Sequence, residues 1–432
     1  MSDAQPMAGP SASRRSLADT LELDRRLLGM IGAFVLLCLG FAIWTGGTFL
    51  SPRNIFNIAV QTVSVGIMAT GMVFVIVTRH IDLSVGSVLA MSSAIMAMTQ
   101  AYWLPGALGL GLGHPLIMPV TVVVGLAVGT AIGAFHGWLV GYQGIPSFIV
   151  TLGGLLVWRN LNWYTSNGQS VALTDERILN FGGTEGVLGS GPSWVVGLAA
   201  AAAAVLAILS ARRAKQRHGF AVKPMWAEGA MLALIVGAIL GFVAILNAYP
   251  IPETKLRRAF EARGETMPEG YVANHGLPVS VLLLIAVAVV MTVIARRTRF
   301  GRYIFATGGN PDAAALSGID TRWLTLKVFA LMGFLCGLAA LVAQARLQSH
   351  GNDIGTLTEL SVIAATVIGG TALAGGVGTI YGAILGALIM QSLQSGMGMV
   401  GVDTPFQNIV VGLVLVVAVW IDVVYRRRLG VR

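Results

Sequence analysis

Apolar residues run along this chain in long blocks, and the polar residues are confined to short breaks between them. Leu27 to Trp44 reads LLGMIGAFVLLCLGFAIW, and Ala227 to Leu246 is a second run of the same kind. Blocks of about 20 apolar residues match the hydrocarbon thickness of a bilayer. Twelve hydrophobic segments can be drawn, at 27–44, 55–77, 83–102, 116–140, 147–164, 193–210, 227–249, 278–295, 323–345, 359–374, 377–399 and 406–424. They predict an all-α fold, a polytopic membrane helical bundle of about 10–12 transmembrane helices. Segments 83–102 and 359–374 are glycine-rich and read as broken or partly re-entrant, a form tolerated in a bilayer only where protein shields the backbone.

The polar breaks orient the bundle. Arg14, Arg15, Arg25 and Arg26 place the N-terminal tail, 1–26, in the cytoplasm, and the basic tail, 426–432, with Arg426, Arg427 and Arg428, belongs there too. The membrane domain between them runs from 27 to 425, and an even number of spans agrees with both tails. The same count puts Arg212, Arg213, Lys215 and Arg217 inside, with RRTRFGR at Arg296 to Arg302, and leaves 165–192 outside with Arg177 as its only basic residue. Residues 250–277 object. Lys255, Arg257, Arg258 and Arg263 would lie outside, interleaved with Glu253, Glu261, Glu265 and Glu269. The segment is either a charged external helix or the sign of a miscounted span. In the N-terminal tail, Ser16-Leu17-Ala18-Asp19 has the form of a helix cap. The first apolar run reads as a retained span rather than a cleaved signal.

Composition sharpens this picture. Charged residues are 11% of the chain against about 25% in globular domains, hydrophobic residues 55%, and mean hydropathy +0.78. The 55 glycines suit a bilayer, where small residues let helix backbones approach. The formal charge of +9 sits between apolar blocks, which fits orientation in a membrane and not nucleic acid binding. Cys38 and Cys336 each lie inside an apolar block, so no disulfide framework is expected.

The chemistry that is missing narrows the function. No GxxxxGK[ST] loop is present to cradle nucleotide phosphates, and no HExxH or paired CxxC holds a metal. No catalytic constellation stands out, so an enzyme is disfavoured and no cofactor is expected. The histidines are scattered, and His136, in an apolar helix, suits a packed or hydrogen-bonded role. Ion-driven transporters keep ionisable groups in mid-membrane. Here the spans hold almost none away from their ends: Asp82 and Glu359 sit at span entrances, Arg159 near a span end and Asp422 close to the basic tail. A neutral solute, moved with energy supplied by another polypeptide, is the natural inference.

Four stretches carry motif character. In TRHIDLSVGS, Thr78 to Ser87, Asp82 or Ser84 can cap the next helix, while Asp82 is also a candidate substrate contact. In PSFIVTLGG, Pro146 suits a first helical turn. VIGGTALAGGVGTIYGAILGAL, Val367 to Leu388, places glycines where helices touch or turn. In GGNPDAAALSG, Gly308 to Gly318, alanines favour helix, Pro311 fits its first turn and Gly318 can end it with positive φ.

In this order, from about residue 50 to residue 425, these stretches resemble the permease subunits of ABC importers for monosaccharides. PSFIVTLGGLLVWRN, Ala418-Val419-Trp420 and the length of the chain resemble the xylose permeases most. The shorter sugar permeases lack a helix pair that 193–249 supplies here. His80 departs from the pattern, standing where glycine or an acid is usual before Ile-Asp-Leu.

The resemblance implies a bacterial inner (cytoplasmic) membrane protein, multi-pass, that forms the path as a homodimer. Its expected partners are an ATP-binding cassette ATPase, a periplasmic sugar-binding protein, a second copy of the permease and the lipid bilayer. Within the cytoplasmic loop 296–322, Asp312-Ala313-Ala314-Ala315-Leu316-Ser317-Gly318 matches the Glu-Ala-Ala-x-x-x-Gly coupling element, with Asp in place of Glu. Candidates for the substrate path are Gln61, Thr62, Ser64, Phe74, Asp82, Ser147, Phe148 and Thr151, since neutral polar and aromatic groups suffice for a sugar. Rival readings are a related permease for another sugar, a nucleoside or a branched-chain amino acid, and a self-sufficient secondary transporter.

Overall fold

The structure, a computed structural model, describes residues 25–220 and 222–428. Arg14, Arg15, the Ser16 to Asp19 motif and the last four residues lie outside the described residues, as do the side chains of Arg25, Arg26, Asp422 and Arg426 to Arg428. Each of the twelve apolar segments coincides with a helix. Numbering only the helices the argument uses, they are α1 (Arg25–Trp44), α2 (Pro52–Val77), α3 (Val85–Met98), α4 (Ile117–Gly141), α5 (Ser147–Ser166), α6 (Ser190–Arg217), α7 (Met225–Asn247) and α8 (Val279–Arg297). Two short helices in the 296–322 loop follow, α9 (Arg299–Gly309) and α10 (Pro311–Leu316). The chain continues with α11 (Thr321–Leu347), α12 (Thr358–Ile368), α13 (Ile380–Met399) and α14 (Thr404–Arg428). Among the described residues, 8 helices are long and apolar enough to cross a membrane alone: α1, α2, α4, α6, α7, α8, α11 and α14.

The two glycine-rich segments are the short ones. The 14 residues of α3 and the 11 of α12, at about 1.5 Å per residue, fall well below a hydrocarbon core of about 30 Å. Their N-terminal ends meet. A Cβ on Gly86 would collide with the carbonyl oxygen of Gly355 and with Oε2 of Glu359. From that meeting point α3 continues through a π turn, Thr99–Trp103, while α12 ends at the 369–379 glycine loop. That loop touches the far end of α2, where Gly376 N–H donates to Val77 O at 3.0 Å.

The core is built from two four-helix units of the same form, α2–α5 and α11–α14, each running long, short, long, long. The units interlock by exchange: α2 packs on α13 and α11 on α4, while α3 packs on α5 and α12 on α14. The tightest contact is α4 on α11. Gly125, Gly129, Gly133, Gly137 and Gly141 recur every four residues along α4, forming one stripe. Cβ atoms at the last four would run into the backbone of Arg322, Leu326, Phe329 and Gly333. Small-residue stripes of this kind give close van der Waals packing where lipid removes the hydrophobic drive. The 193–249 pair is peripheral. Its helices α6 and α7 pack mainly on each other, joined by an Arg212–Glu228 ion pair, and Val243 and Leu246 dock on Phe56 and Val60 of α2.

The disputed loop settles on the same end as 167–189. Pro250 pairs with Asn274, Gly189 with Gly276 and Val187 with Pro278, and Lys255 reaches Glu185 at 2.8 Å. Residues Glu253–Glu261 form a charged helix there with no buried residue. At this end too, Val171 pairs with His350. Arg177 binds Asp175 at 2.7 Å and the carbonyl of His114 at 2.8 Å. Burial alone would raise the Asp175 carboxyl. The Arg177 guanidinium and amide outweigh it and hold that carboxyl below the usual range.

Candidate functional site

Two features of the structure have the chemistry of a transporter, and they lie at opposite ends of α2. The first is a cavity of about 340 Å³ walled by α2, the end of α11, the 353–361 segment, α13 and α14. Its polar groups include Gln61 and Ser64 of α2, Ser361 of α12, Gln391 and Gln394 of α13 and Asn408 of α14, with Arg346 and Asp353 exposed at its edge. Gln391 Nε2 donates to Gln394 Oε1 at 3.0 Å, and Gln394 Nε2 to Ser361 Oγ at 3.4 Å. Carboxamides both donate and accept, so this chain of neutral groups matches a hydroxyl-rich ligand without charge. The size falls in the range of small-molecule pockets, about 300–1,000 Å³. A larger hollow of about 660 Å³ is lined only by residues of the 250–272 loop and borders no spanning helix.

Behind the cavity the two short helices begin. Asp82 Oδ1 accepts from the Ser84 N–H at 2.8 Å and from its hydroxyl at 2.6 Å, which fixes the turn into α3. Ser84 Oγ lies 3.3 Å from His136 Nδ1, and Trp158 Nε1 donates to His136 Nε2 at 2.9 Å. The Trp158 bond leaves Nδ1 as the protonated nitrogen of a neutral ring, so one directional chain runs from Trp158 through His136 and Ser84 to Asp82. Glu359 lies in the first turn of α12 and is also buried, but its Oε2 has no hydrogen-bond partner. Arg159, whose charge acts on Glu359 and Asp353, donates to the carbonyl of Ile354 at 2.7 Å.

The second feature is the loop between α8 and α11. Thr298 caps α9, and Asn310 Oδ1 accepts from Ala313 N–H at 3.0 Å to cap α10, with Pro311 in its first turn. Gly318 follows at φ 87. Ala314 is buried against the bundle, whereas Asp312, Ala313, Ala315 and Gly318 are exposed and Leu316 is 90% exposed. The outward surface is therefore a small-residue helix with one bare leucine.

The predicted path residues fall into three sets. Gln61 and Ser64 line the cavity. Asp82, Ser147 and Thr151 meet at the turn before α3: Ser147 Oγ accepts from Ile81 N–H at 3.3 Å, and Thr151 Oγ1 donates to Ser147 O at 2.9 Å. Thr62 bonds back to Ile58 O at 2.7 Å, Phe74 is fully buried edge-on to Phe300, and Phe148 is exposed on the outside of the bundle. His80 packs on Phe329, and burial holds its imidazole down at about 4, so it is neutral near pH 7. Sequence reasoning passed over Gln391, Gln394, Asn408 and Arg346. Amides inside an apolar run were the available signal, since a bilayer tolerates them only where protein or a cavity receives them.

A family model described as the permease component of branched-chain amino acid transport systems matches residues 54–208 and 193–419. The chain belongs to this permease family. It is a multi-pass protein of the bacterial inner membrane, and its apolar helices are long enough to cross one. It is similar to the xylose transport system permease protein XylH of Escherichia coli strain K12, 37% identical over 406 residues that cover 94% of each chain. XylH of Haemophilus influenzae is 36% identical over 405 residues, 93% of this chain and 96% of that one. The ribose import permease protein RbsC of Bacillus subtilis is 30% identical over 375 residues, 87% and 86% of the two chains. No solved structure matches the chain. The resemblance read from the ordered motifs thus holds at the level of sugar-transport permeases.

Proposed function

We propose that this permease is the membrane-spanning subunit of an ATP-driven importer of monosaccharides, with xylose as its substrate. Two copies enclose the path, an ATPase pair docks on the outward face of α10, and a periplasmic sugar-binding protein delivers the sugar to the opposite end. The chain itself performs no catalysis. The observation that carries the reading is the Gln391–Gln394–Ser361 chain in a cavity that also exposes Gln61 and Asn408. It offers a row of neutral donors and acceptors to a ligand made of hydroxyls.

The test is uptake into proteoliposomes holding the permease with its ATPase and binding protein. Xylose uptake should need both partners and ATP, and exceed uptake of ribose and leucine. Uptake by the permease alone under an ion gradient would replace this reading with a secondary transporter. Arg346 and Asp353 at the cavity edge favour one second reading, since opposite charges beside neutral amides also suit a zwitterionic amino acid. Uptake of leucine in preference to xylose would select it.

Docking is tested at Leu316, the bare side chain on α10. Leu316→Asp should shed the ATPase while the permease remains folded. Ala314 is unsuitable for this purpose, because it packs into the bundle and its enlargement would disturb the permease itself.

A further inference from the structure

Arg79 stands at an unusual place for its residue type. The last turn of α2 closes with His80 N–H donating to Val75 O at 3.0 Å and Arg79 N–H to Ile76 O at 2.8 Å. That pair of bonds is the glycine-type helix ending, in which the residue after the cap takes positive φ. Arg79 occupies that position at φ 66. A side chain there is disfavoured sterically, so something other than local backbone preference keeps the arginine.

Its guanidinium supplies the reason. Arg79 Nε donates to Gly308 O at 2.8 Å and Nη2 to Gly309 O at 2.7 Å. These are the last carbonyls of α9, where a helix presents unsatisfied acceptors and the negative end of its dipole. Asn310, the cap of α10, is the next residue. Arg79 therefore holds the joint between the two cytoplasmic helices. The contact is close on all sides. A Cβ at Gly308 would strike Val77 O, and one at Gly375 would strike Arg79 Cγ. Three stretches far apart in sequence, 77–80, 308–309 and 375–376, meet around this one side chain.

From Arg79 the chain leads directly into the core. Three residues on, Asp82 binds Ser84, which joins His136 and Trp158, and Gly86 sits against Gly355 and Glu359 where the two short helices meet. A displacement of α10 reaches this region through the α9–α10 joint, and the bidentate grip makes the joint and the α2–α3 turn move as one body.

The geometry points to Arg79 as the positioning residue that transmits movement of the ATPase-contacting helix into the membrane core. This rests on the reading that the outward face of α10 receives the ATPase. Arg79 makes no contact with solute or nucleotide. It sets how strongly the loaded binding protein at one end drives hydrolysis at the other, a coupling of the kind worth several-fold or more between distant sites.

Arg79→Gly separates this role from a structural one. Glycine suits the positive φ, so the helix ending is relaxed and the thermal midpoint of the purified permease should hold or rise. The ATPase should remain bound at the wild-type ratio. Stimulation of hydrolysis by the xylose-loaded binding protein should fall about tenfold, and uptake with it. Arg79→Lys keeps the charge but cannot bridge both carbonyls, and its stimulation should lie between the two. Wild-type stimulation in Arg79→Gly overturns the proposal. So does a drop in thermal midpoint with activity lost only in proportion to folded protein, and so does loss of the ATPase. Leu316→Asp distinguishes the underlying reading. If that variant keeps the ATPase and its stimulation, docking on α10 is wrong. If it sheds the ATPase while Arg79→Gly behaves as wild type, docking stands and only the transmission role falls.

Discussion

Nearly the same four residues stand at the start of each short helix, Asp82-Leu83-Ser84-Val85 in the turn before α3 and Glu359-Leu360-Ser361-Val362 in the first turns of α12, and the structure treats the two acids differently. The Asp82 carboxylate is bonded twice to Ser84, and Ser84 is tied onward to His136. Glu359, one methylene longer, lies beside Gly86 with Oε2 unpartnered, while Ser361 turns to Gln394 in the cavity. The first half thus has a satisfied, closed junction close to the 296–322 loop. The second has an incompletely satisfied junction that forms a wall of the cavity. A repeated local motif serves as an anchor in one unit and as a cavity-facing element in the other. The difference lies in what surrounds each serine.

The comparison depends on the two junctions touching, so the largest effect should come from separating them. Gly86→Val puts a branched side chain where backbone and Glu359 already stand. The expected cost is about 3 kcal/mol or more, beyond ordinary overpacking, with loss of folded permease in size-exclusion profiles. Gly153→Ala is the control, because nothing lies within 4 Å of a Cβ there. It should be neutral or slightly stabilising. Normal assembly of Gly86→Val would mean that the short helices do not meet as described.

The next effect sharpens the contrast between the acids. Asp82→Ala removes the acceptor of two bonds and should cost about 1–3 kcal/mol, because buried donors lose their partner. Asp82→Asn keeps an oxygen in place and should be mild. Glu359→Gln should change the melting midpoint less than Asp82→Ala, since Oε2 contributes no hydrogen bond. Equal losses in Asp82→Asn and Asp82→Ala would show that charge, not the turn, is what Asp82 provides.

A smaller effect tests the open side of the second half. Gln394→Leu keeps volume and breaks the link between Gln391 and Ser361. Maximal xylose uptake should fall several-fold, a loss of about 1 kcal/mol for one hydrogen-bonding group, with melting unchanged. Thr62→Val, whose hydroxyl only bonds back to its own helix, should leave uptake near wild type. If the two variants behave alike, the cavity is not on the path.

The difference between these regions also explains what the sequence disclosed. Spans were legible because a bilayer forces apolar runs of fixed length, and all twelve runs became helices. The weak points were legible too: the two glycine-rich segments are the short helices. The first turn at Pro311 and the positive φ at Gly318 follow from local pattern. Partnership across the fold does not. Nothing near Gln391 in sequence indicates Ser361, and Arg79 finds its carbonyls 229 and 230 residues away. Phe74 and Thr62 were candidates by residue type, but a helix face is assigned by packing, and both turn into protein.

The smallest effect concerns the opposite end of the first half, which is sealed where the second half is open. His275 stacks on Tyr249 with ring centroids 4.3 Å apart and tilts against Phe56 of α2 at 5.3 Å, closing the outer loops over that helix. Burial pushes the His275 imidazole below its ordinary value, a pull that its contact with the Tyr249 carbonyl only partly offsets. The folded state then binds fewer protons than the unfolded chain between the folded value and about 6.5. Stability should accordingly be complete above that range and be lost as pH falls through it. His275→Phe preserves the stack and removes the proton site. Melting midpoints from pH 7.5 to 5 should decline in the wild type, and decline less steeply in His275→Phe. The gap between the two profiles should widen as pH falls. Parallel pH profiles would mean that the outer seal of the first half does not depend on a neutral His275, and that closure there rests on Tyr249 and Phe56 alone.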